Sequence, residues 1–339
     1  MIPIRNVYHM LAYAFQRLKD DGYHRCATED FEHVAELLAE ILIHGICIQL
    51  KRGLQKDYSP VTERTGSIRG KINISESIKS LSVLQASMVC EYDIFDENCH
   101  QNRVLKTTAQ LLLKADIRPE QKQKLRKLLL HFGNVETLSP DSINWSLHFN
   151  RTNQSYQMLM YICRMVIQGL LQTQDAGPAR LRHFVDDDRL HHLYEKFILN
   201  YYRREHPSLR TSSEQIPWAI QESNGTTFLP VLQTDVILRR GDKTLIIDAK
   251  FYNQNLCSKF GGRQKLHRDN VNQIYVYVDN YRKQHPEEHT HGLLLYARTD
   301  ACLQPEMETE DFSVRTLDLG MPFEQIAAQL DSIAHNFLV

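Results

Sequence analysis

Two consecutive strands that carry three charged residues constrain the fold of this chain more than any other feature. Residues 229–252 read LPVLQTDVILRRGDKTLIIDAKFY, where two apolar runs rich in β-branched residues flank a turn at Arg239–Asp242. Such runs on either side of a Gly-containing turn are typical of a hairpin. We therefore expect paired strands over Val231–Leu238 and Thr244–Phe251.

The second of these strands carries a carboxylate and an ammonium group on one face. Side chains alternate along a strand, so Asp248 and Lys250 project from the same face, about 7 Å apart along the chain. Asp235 lies on the first strand, thirteen residues before Asp248, and the hairpin can bring the two carboxylates together. The alternative is a surface hairpin with an ordinary Asp–Lys pair, which contributes little on its own.

Two carboxylates and a lysine in this arrangement are typical of metal-dependent phosphodiester hydrolysis. Mg²⁺ takes oxygen ligands, usually one or two carboxylates with water and substrate phosphate, and Mn²⁺ accepts similar ligands. Asp235 and Asp248 can hold such an ion. Lys250 can then act on the attacking water or stabilise the charge that develops on the phosphate.

Two helices outside the hairpin add polar residues to this pattern. His191–Tyr202 has helical periodicity, and Glu195 falls beside its apolar stripe, where it can serve as another metal ligand. Asp269–Tyr281 is also amphipathic, and Gln273 and Tyr277 are four residues apart on one face. Both positions have plainer alternatives, namely an exposed glutamate paired with a nearby cation and ordinary helix packing.

The order of these residues resembles the PD-(D/E)xK nuclease core. Within that superfamily it resembles the McrC family, the nuclease subunits of McrBC-type modified-cytosine restriction systems. The likeness includes the LPxxxTD start of the hairpin and four segments spread along the chain: IPIRNVYHMLAYAF, LKRGLQKDY, GSIRGKINISESI and EYDIFDENCHQNRVLK. The resemblance implies an α/β fold, α+β overall. A C-terminal mixed sheet would be flanked by helices, and an N-terminal helical domain would carry a β element.

The resemblance also implies an activity and a partner. The chain would be a Mg²⁺-dependent endodeoxyribonuclease that cuts double-stranded DNA containing modified cytosine when bound to a hexamer of an McrB-like AAA+ GTPase. Asp235, Asp248 and Glu195 would be metal ligands, Lys250 the catalytic lysine, and Gln273 a further catalytic-site residue. The sequence contains no Walker A motif, so GTP would be bound by the partner and not by this chain.

A β element is expected at Gly66–Ile74, where polar and apolar residues alternate around one glycine. The family resemblance suggests that this element projects into the central opening of the partner ring. Its exposed contacts would be Arg69 and Lys71. The alternative is a polar-faced hairpin without a binding role.

A basic loop follows the strand that carries Asp248. Its glycines permit close backbone approach, and four cations could contact DNA phosphates beside the cleaved bond. These cations are Lys259, Arg263, Lys265 and Arg268. The alternative is a mobile basic loop.

The chain is long enough for two domains, and a polar stretch at Phe149–Gln154 suggests where they join. We expect an N-terminal partner-binding domain over residues 1–150 and a nuclease domain over residues 151–339. In the second domain, helices and strands alternate as in a mixed sheet flanked by helices.

Composition limits the ways in which this chain can bind DNA. A net charge of −1 gives no bulk attraction to nucleic acid, so binding would depend on local basic patches or a partner. The seven cysteines form no C-x-x-C pair, and the adjacent His191 and His192 are expected at the surface. No signal region or membrane-length apolar run is present, which predicts a cytoplasmic protein without membrane contact.

Two other functions remain open at the level of sequence. A RecB-like DNA repair nuclease would share the core and the Gln-x-x-x-Tyr helix, but it would require a DNA end. A non-catalytic adaptor that stimulates a GTPase would carry only a vestigial nuclease fold. The complete set of Asp235, Asp248 and Lys250 argues against the adaptor, because a vestigial site has no chemical reason to retain all three.

Overall fold

The computed structural model contains two compact units. The sheet unit comprises Met1–Asp30 and Val185–Val339, and the helical unit comprises Phe31–Phe184. The structure describes residues 2–15, 31–150, 153–174, 187–220, 228–251, 265–298 and 306–338. Within these ranges, no helix has both the length and the apolar character needed to cross a membrane.

The helices of the described residues are, in chain order, α1 (Ile4–Ala14), α2 (Val34–Arg52), α3 (Ile74–Lys79), α4 (His100–Lys114), α5 (Pro119–Leu129), α6 (Gln154–Gln174), α7 (Asp187–Glu205), α8 (Arg268–Gln284) and α9 (Phe323–Leu338). The strands are β1 (Asp57–Thr65), β2 (Lys71–Ile72), β3 (Met88–Asp96), β4 (Arg210–Ser212), β5 (Gln215–Ile216), β6 (Leu232–Gln233), β7 (Val236–Arg240), β8 (Lys243–Lys250), β9 (His289–Arg298), β10 (Met307–Glu308) and β11 (Phe312–Asp318). Short 3₁₀ turns cover Ser82–Gln85, Leu130–Phe132 and Pro140–Ser142.

The sheet unit is built on a six-stranded mixed sheet with the strand order β10-β11-β9-β8-β7-β4. Strands β7 and β8 form the predicted antiparallel hairpin, and β8, β9 and β11 run parallel to one another. Every residue of β8 after Lys243 is buried, as is typical of a central strand covered on both faces. The predicted α/β class, with a mixed sheet flanked by helices, is confirmed.

The hairpin differs from its prediction in one respect that matters for the site. The expected strand Val231–Leu238 is two strands, because β6 pairs with β5 in a separate two-stranded sheet. The break falls at Thr234, whose amide donates to the Glu214 carbonyl at 3.0 Å and whose hydroxyl donates to the same oxygen at 2.9 Å. Asp235 therefore lies at the junction between two strands.

Helix α8 packs unusually close to the sheet at Gly292 of β9. A Cβ atom at this position would lie 2.7 Å from Ile274 Cγ1 and 2.9 Å from Val278 Cγ2. Real Cβ contacts are longer than this, so only glycine allows the helix to approach so closely. The close approach brings the polar face of α8, with Gln273, towards the Asp248 face of β8.

Helix α1 belongs to the sheet unit, although the sequence places it with the N-terminal half. The Asn6 side-chain amide donates to the carbonyls of Leu319 at 2.7 Å and Met321 at 2.8 Å. The hydroxyl of Tyr13 donates to Glu205 Oε1 at 2.8 Å, at the end of α7. These contacts are long-range in sequence, which is why the local pattern of α1 does not reveal them.

The division into units consequently differs from the predicted boundary near residue 150. Residues 1–30 join the C-terminal part of the chain, and the helical unit extends to Phe184. Helix α6 lies in the helical unit, where it contacts α2 and α4. The assignment of partner binding to 1–150 and of nuclease activity to 151–339 stays a prediction.

The helical unit contains a three-stranded antiparallel sheet with the order β1-β3-β2. The expected strand Gly66–Ile74 is mostly a turn, and only Lys71–Ile72 pairs with β3. Gly70 explains this turn, because it adopts a φ of +61° and a Cβ atom there would lie 2.4 Å from the Glu91 carbonyl oxygen. The backbone thus folds tightly onto β3.

Removal of the Asn6 amide is expected to destabilise the sheet unit. Asn6→Ala leaves two carbonyl acceptors without their donor, which costs about 1–3 kcal/mol when such groups are buried. Urea unfolding of the full chain should show a lower midpoint for the variant. Asn336→Ala, at an exposed position of α9, is the matched control and should leave the midpoint unchanged. An unchanged midpoint for Asn6→Ala would contradict the placement of α1.

Candidate active site

The buried ends of strands β7 and β8 bring Asp235 and Asp248 together. Val236 pairs with Ile247, so Asp235 and Asp248 occupy the next position in the same register. Asp235 Oδ2 accepts a hydrogen bond of 2.8 Å from the backbone N–H of Ala249. This bond fixes the Asp235 carboxylate at the end of β8.

Asp248 and Lys250 form a buried ion pair on one face of β8. Lys250 Nζ lies 2.9 Å from Asp248 Oδ2, and the lysine and the aspartate are only 6% and 1% exposed. Asp248 Oδ1 is also buried and has no hydrogen-bond donor among the described residues. A buried carboxylate oxygen without a donor is costly unless a cation or another donor reaches it.

Helix α8 orients Lys250 through a chain of hydrogen bonds. Lys250 Nζ donates to Gln273 Oε1 at 3.0 Å, and Gln273 Nε2 donates to the Tyr277 hydroxyl at 2.7 Å. The Tyr277 hydroxyl donates in turn to the Gln233 carbonyl at 2.7 Å. The four-residue spacing of Gln273 and Tyr277 therefore does more than pack the helix, since it connects the lysine to the backbone beside Asp235.

Glu195 of α7 is paired with two histidines of its own helix. Its Oε1 lies 2.9 Å from His191 Nε2, and its Oε2 lies 3.1 Å from His192 Nδ1. The cations Lys196 and Arg203 of the same helix are not in these two pairs. His192 is at the surface as expected, whereas His191 is partly buried and also accepts a 3.2 Å hydrogen bond from the backbone N–H of Phe251.

The carboxylates of the site perturb one another. Burial, and then the negative charges of Asp248 and Glu195, hold the pKa of Asp235 well above its usual range. Burial also raises the pKa of Asp248, although the neighbouring Lys250 ammonium opposes that shift. For Glu195, burial acts upward, but its hydrogen bonds with His191 and His192 outweigh it and the pKa is lowered.

These residues fit a divalent metal ion. The donor set is made of carboxylate oxygens, which Mg²⁺ and Mn²⁺ prefer, and one buried oxygen of Asp248 has no donor among the described residues. A cation would also relieve the mutual repulsion that raises the pKa of Asp235. Asp235 and Asp248 are the residues that could hold it, and Glu195, whose charge acts on both of them, is the further candidate.

Comparison with known proteins assigns the chain to a family. The sequence model described as "McrBC 5-methylcytosine restriction system component" matches residues 5–297. The chain belongs to this family. The resemblance drawn from the sequence motifs is thereby confirmed.

One curated relative and two solved structures are similar to this family member to different degrees. The "Type IV methyl-directed restriction enzyme EcoKMcrBC" of Escherichia coli (strain K12) is 27% identical over 350 residues, which cover 100% of this chain and 99% of the relative. A half-complex of Thermococcus gammatolerans McrB AAA+ hexamers with bound McrC matches 95% of this chain and 75% of that chain, with 17% identity and a TM-score of 0.46. The cryo-EM structure of the T. gammatolerans McrBC complex matches 50% of this chain and 55% of that chain, with 18% identity and a TM-score of 0.40.

The remaining predicted site residues of this family member are the cations of the basic loop and those of the β element. Lys265 and Arg268 lie just before and at the start of α8, while Lys259 and Arg263 lie outside the described residues. Arg69 and Lys71 are exposed in the helical unit, as predicted. DNA contact by the first set and partner contact by the second stay predictions.

Sequence reasoning missed the contribution of His191. Its side chain joins Glu195 to the backbone at the end of β8, whereas the sequence suggested only a surface position. One signal was available, because His191 and Glu195 are four residues apart and therefore neighbours on one helix face. The bond to Phe251 depends on tertiary packing and has no local signature.

Replacement of Asp235 by asparagine is expected to stabilise the ion-free protein, increasingly so at higher pH. Folding raises the pKa of Asp235. The folded protein is therefore most stable at low pH, where this side chain is protonated, and it loses that contribution to stability as the pH rises through the folded pKa. The asparagine side chain carries no charge but keeps an oxygen that can accept the Ala249 N–H. In thermal unfolding in EDTA from pH 5 to 9, the melting temperature of D235N should therefore exceed that of the wild type by an increasing margin. Each kcal/mol of added stability raises the melting temperature by about 2–4 °C.

Saturating Mg²⁺ is the control for this comparison. The wild-type protein should gain stability from ligand binding, while D235N should gain less because it lacks one ligand. The difference between the two melting temperatures should therefore narrow or reverse when Mg²⁺ replaces EDTA. A D235N advantage that shrinks as pH rises in EDTA would contradict the charge repulsion described above.

Proposed function

We propose that this chain is the DNA-cleaving subunit of a modified-cytosine restriction complex and that it acts when bound to an AAA+ GTPase partner. The observation that carries the proposal is the buried Asp248–Lys250 pair beside Asp235, with an Asp248 oxygen that has no donor among the described residues. Membership of the 5-methylcytosine restriction family supports DNA with modified cytosine as the substrate. The arrangement of these residues also agrees with a PD-(D/E)xK nuclease core.

The acidic residues of the site have the role of metal ligands in this proposal. Asp235, Asp248 and Glu195 would hold Mg²⁺, or Mn²⁺ in its place, through their carboxylate oxygens. A bound Mg²⁺ supplies Lewis-acid polarisation of the phosphate and lowers the pKa of an attacking water. Asp235 is kept in place by the Ala249 N–H, so this carboxylate is positioned before substrate arrives.

Lys250 has the role of stabilising negative charge on the phosphate. Its ammonium group is held between Asp248 Oδ2 and Gln273 Oε1, and burial of the pair keeps most water away. A fixed positive charge in such a place interacts with developing charge more strongly than it does in water. Gln273 and Tyr277 contribute by orienting the ammonium group rather than by reacting.

The partner is proposed from the family and from the charge of the chain. The family model and the E. coli relative both carry the name of the McrBC system, whose likeness to this chain implies an AAA+ GTPase as the second component. The chain is nearly neutral, so few phosphate contacts are available to hold DNA without help. In this proposal the partner binds GTP and recognises the modified base, and this chain cuts.

Large apolar side chains are exposed on α3 and on the 3₁₀ turn, which follow the β element of Arg69 and Lys71 in the chain. Ile78 of α3 is 63% exposed, and Leu84 of the following 3₁₀ turn is 81% exposed. The residues that flank this turn, Leu81 and Ala86, adopt positive φ angles of 52° and 47°, a conformation that costs about 1–2 kcal/mol for a residue other than glycine. Exposed apolar groups on a strained turn are typical of a protein-binding surface, which supports partner contact at α3 and the following 3₁₀ turn.

Cleavage is expected only when every component is present. An omission series on one plasmid, methylated or unmethylated, should give double-strand cleavage only with this chain, the AAA+ partner, GTP and Mg²⁺ on methylated DNA. Lys250→Met should lower the rate by about 10²–10³, because it removes a charge that stabilises the transition state. Lys243→Met, at the other end of the same strand, is the matched control and should cut normally.

Three outcomes of this series would contradict the proposal. Efficient cutting of unmethylated DNA by this chain alone would favour an autonomous nuclease, and a requirement for DNA ends would favour a RecB-like repair enzyme. Stimulation of the GTPase with undiminished cutting by Lys250→Met would place the nuclease elsewhere in the complex. The chain would then be an adaptor.

Removal of the apolar surface should weaken partner binding without affecting the fold. Burial of two large aliphatic side chains contributes about 3 kcal/mol or more, so Ile78→Ser with Leu84→Ser should weaken binding roughly 100-fold. Binding is measured by interferometry with immobilised AAA+ partner. Leu130→Ser is the control, because Leu130 is 80% exposed on the same unit but lies outside α3 and the 3₁₀ turn that follows it. Equal binding by the double variant and the control would contradict partner contact at this surface.

A further inference from the structure

The imidazole of His191 connects helix α7 to the end of strand β8. Its Nδ1 accepts a hydrogen bond of 3.2 Å from the Phe251 backbone N–H, and its Nε2 lies 2.9 Å from Glu195 Oε1. A backbone N–H can only donate, so Nδ1 must be the unprotonated nitrogen. The ring proton then lies on Nε2 and is donated to the Glu195 carboxylate.

This arrangement ties Glu195 to the strand that carries Asp248. Phe251 directly follows Lys250, so the hydrogen bond that fixes the imidazole begins three residues after Asp248. The ring of Phe251 also packs edge-on against Tyr194 of α7, with ring centroids 6.1 Å apart. A glutamate side chain on a helix has three rotatable bonds. A hydrogen bond from an imidazole that is itself held by the Phe251 N–H restricts rotation about those bonds.

We propose that His191 is a positioning residue that holds Glu195 as the third acidic ligand of the divalent cation. The proposal rests on the metal-dependent function proposed above. His191 itself is assigned no metal contact, because one ring nitrogen is used by Phe251 and the other by Glu195.

The neighbouring histidine provides a matched comparison. His192 contacts the other oxygen of the same carboxylate at 3.1 Å, but its side chain is 67% exposed. An exposed imidazole is held less firmly and competes with water for the carboxylate. Orientation of Glu195 should therefore depend on His191 much more than on His192.

The test measures Mn²⁺ binding to the purified full-length chain by titration calorimetry, without DNA or partner. Loss of a residue that orients a metal ligand typically lowers metal affinity 10- to 100-fold, so His191→Ala should bind Mn²⁺ at least about 10-fold more weakly than wild type. His192→Ala should remain within about twofold. His191→Gln keeps an N–H donor near the Nε2 position and should bind more tightly than His191→Ala.

A double-mutant comparison separates positioning from direct ligation. If His191 acts through Glu195, then H191A combined with E195Q should bind Mn²⁺ no more weakly than E195Q alone. An additive loss in the double variant would mean that His191 acts independently, which would overturn the proposal. Equal affinity of His191→Gln and His191→Ala would also overturn it, because donation to Glu195 would then be irrelevant.

The same experiment distinguishes this inference from the proposed function. Wild-type binding that is lost in D248N but retained in H191A would overturn the role of His191 and leave the metal site intact. Wild-type protein that binds no Mn²⁺ and does not cut with its partner would overturn both. Circular dichroism melting of H191A and H191Q establishes that each variant is folded, and H191Q carries the test if H191A does not fold.

Discussion

The ion pair of Asp248 and Lys250 is the interaction on which the site depends. Two opposite charges at the end of a buried strand are costly to desolvate, and their attraction offsets that cost only when the remaining polar atoms have partners. Lys250 has a further partner in Gln273, but Asp248 Oδ1 has no donor among the described residues. A hydrophobic pair of similar size would avoid this imbalance. The presence of the ion pair is therefore better explained by a role in catalysis than by a contribution to folding stability.

The surrounding helices are arranged so that this pair keeps its geometry. Helix α8 approaches the sheet closely because Gly292 leaves room for Ile274 and Val278, and the approach brings Gln273 to Lys250. Helix α1 stabilises the sheet unit through the two hydrogen bonds of Asn6. Neither Gly292 nor Asn6 contacts the site, yet both limit how far the elements around it can move. A catalytic arrangement needs such support because small displacements of a reacting group are costly.

The local part of this organisation was predictable from sequence. The two-residue period of a strand places Asp248 and Lys250 on one face, and the four-residue spacing of a helix places Gln273 beside Tyr277. The long-range part was not, because it depends on contacts between distant segments. The strand break at Thr234 follows from its bonds to Glu214, twenty residues earlier in the chain. The parallel pairing of β11 with β9 is another contact between separate segments of the chain.

The charges of the site affect its three carboxylates differently. Three carboxylates, those of Asp235, Asp248 and Glu195, act on one another, and the sheet supplies only the Lys250 ammonium in return among the described residues. Folding therefore opposes ionisation of Asp235, whereas a divalent cation requires it. Glu195 differs from the other two because its histidine partners lower its pKa and keep it ionised. In the proposed metal-dependent function, Glu195 would thus be ionised before the cation binds, whereas Asp235 would have to lose its proton.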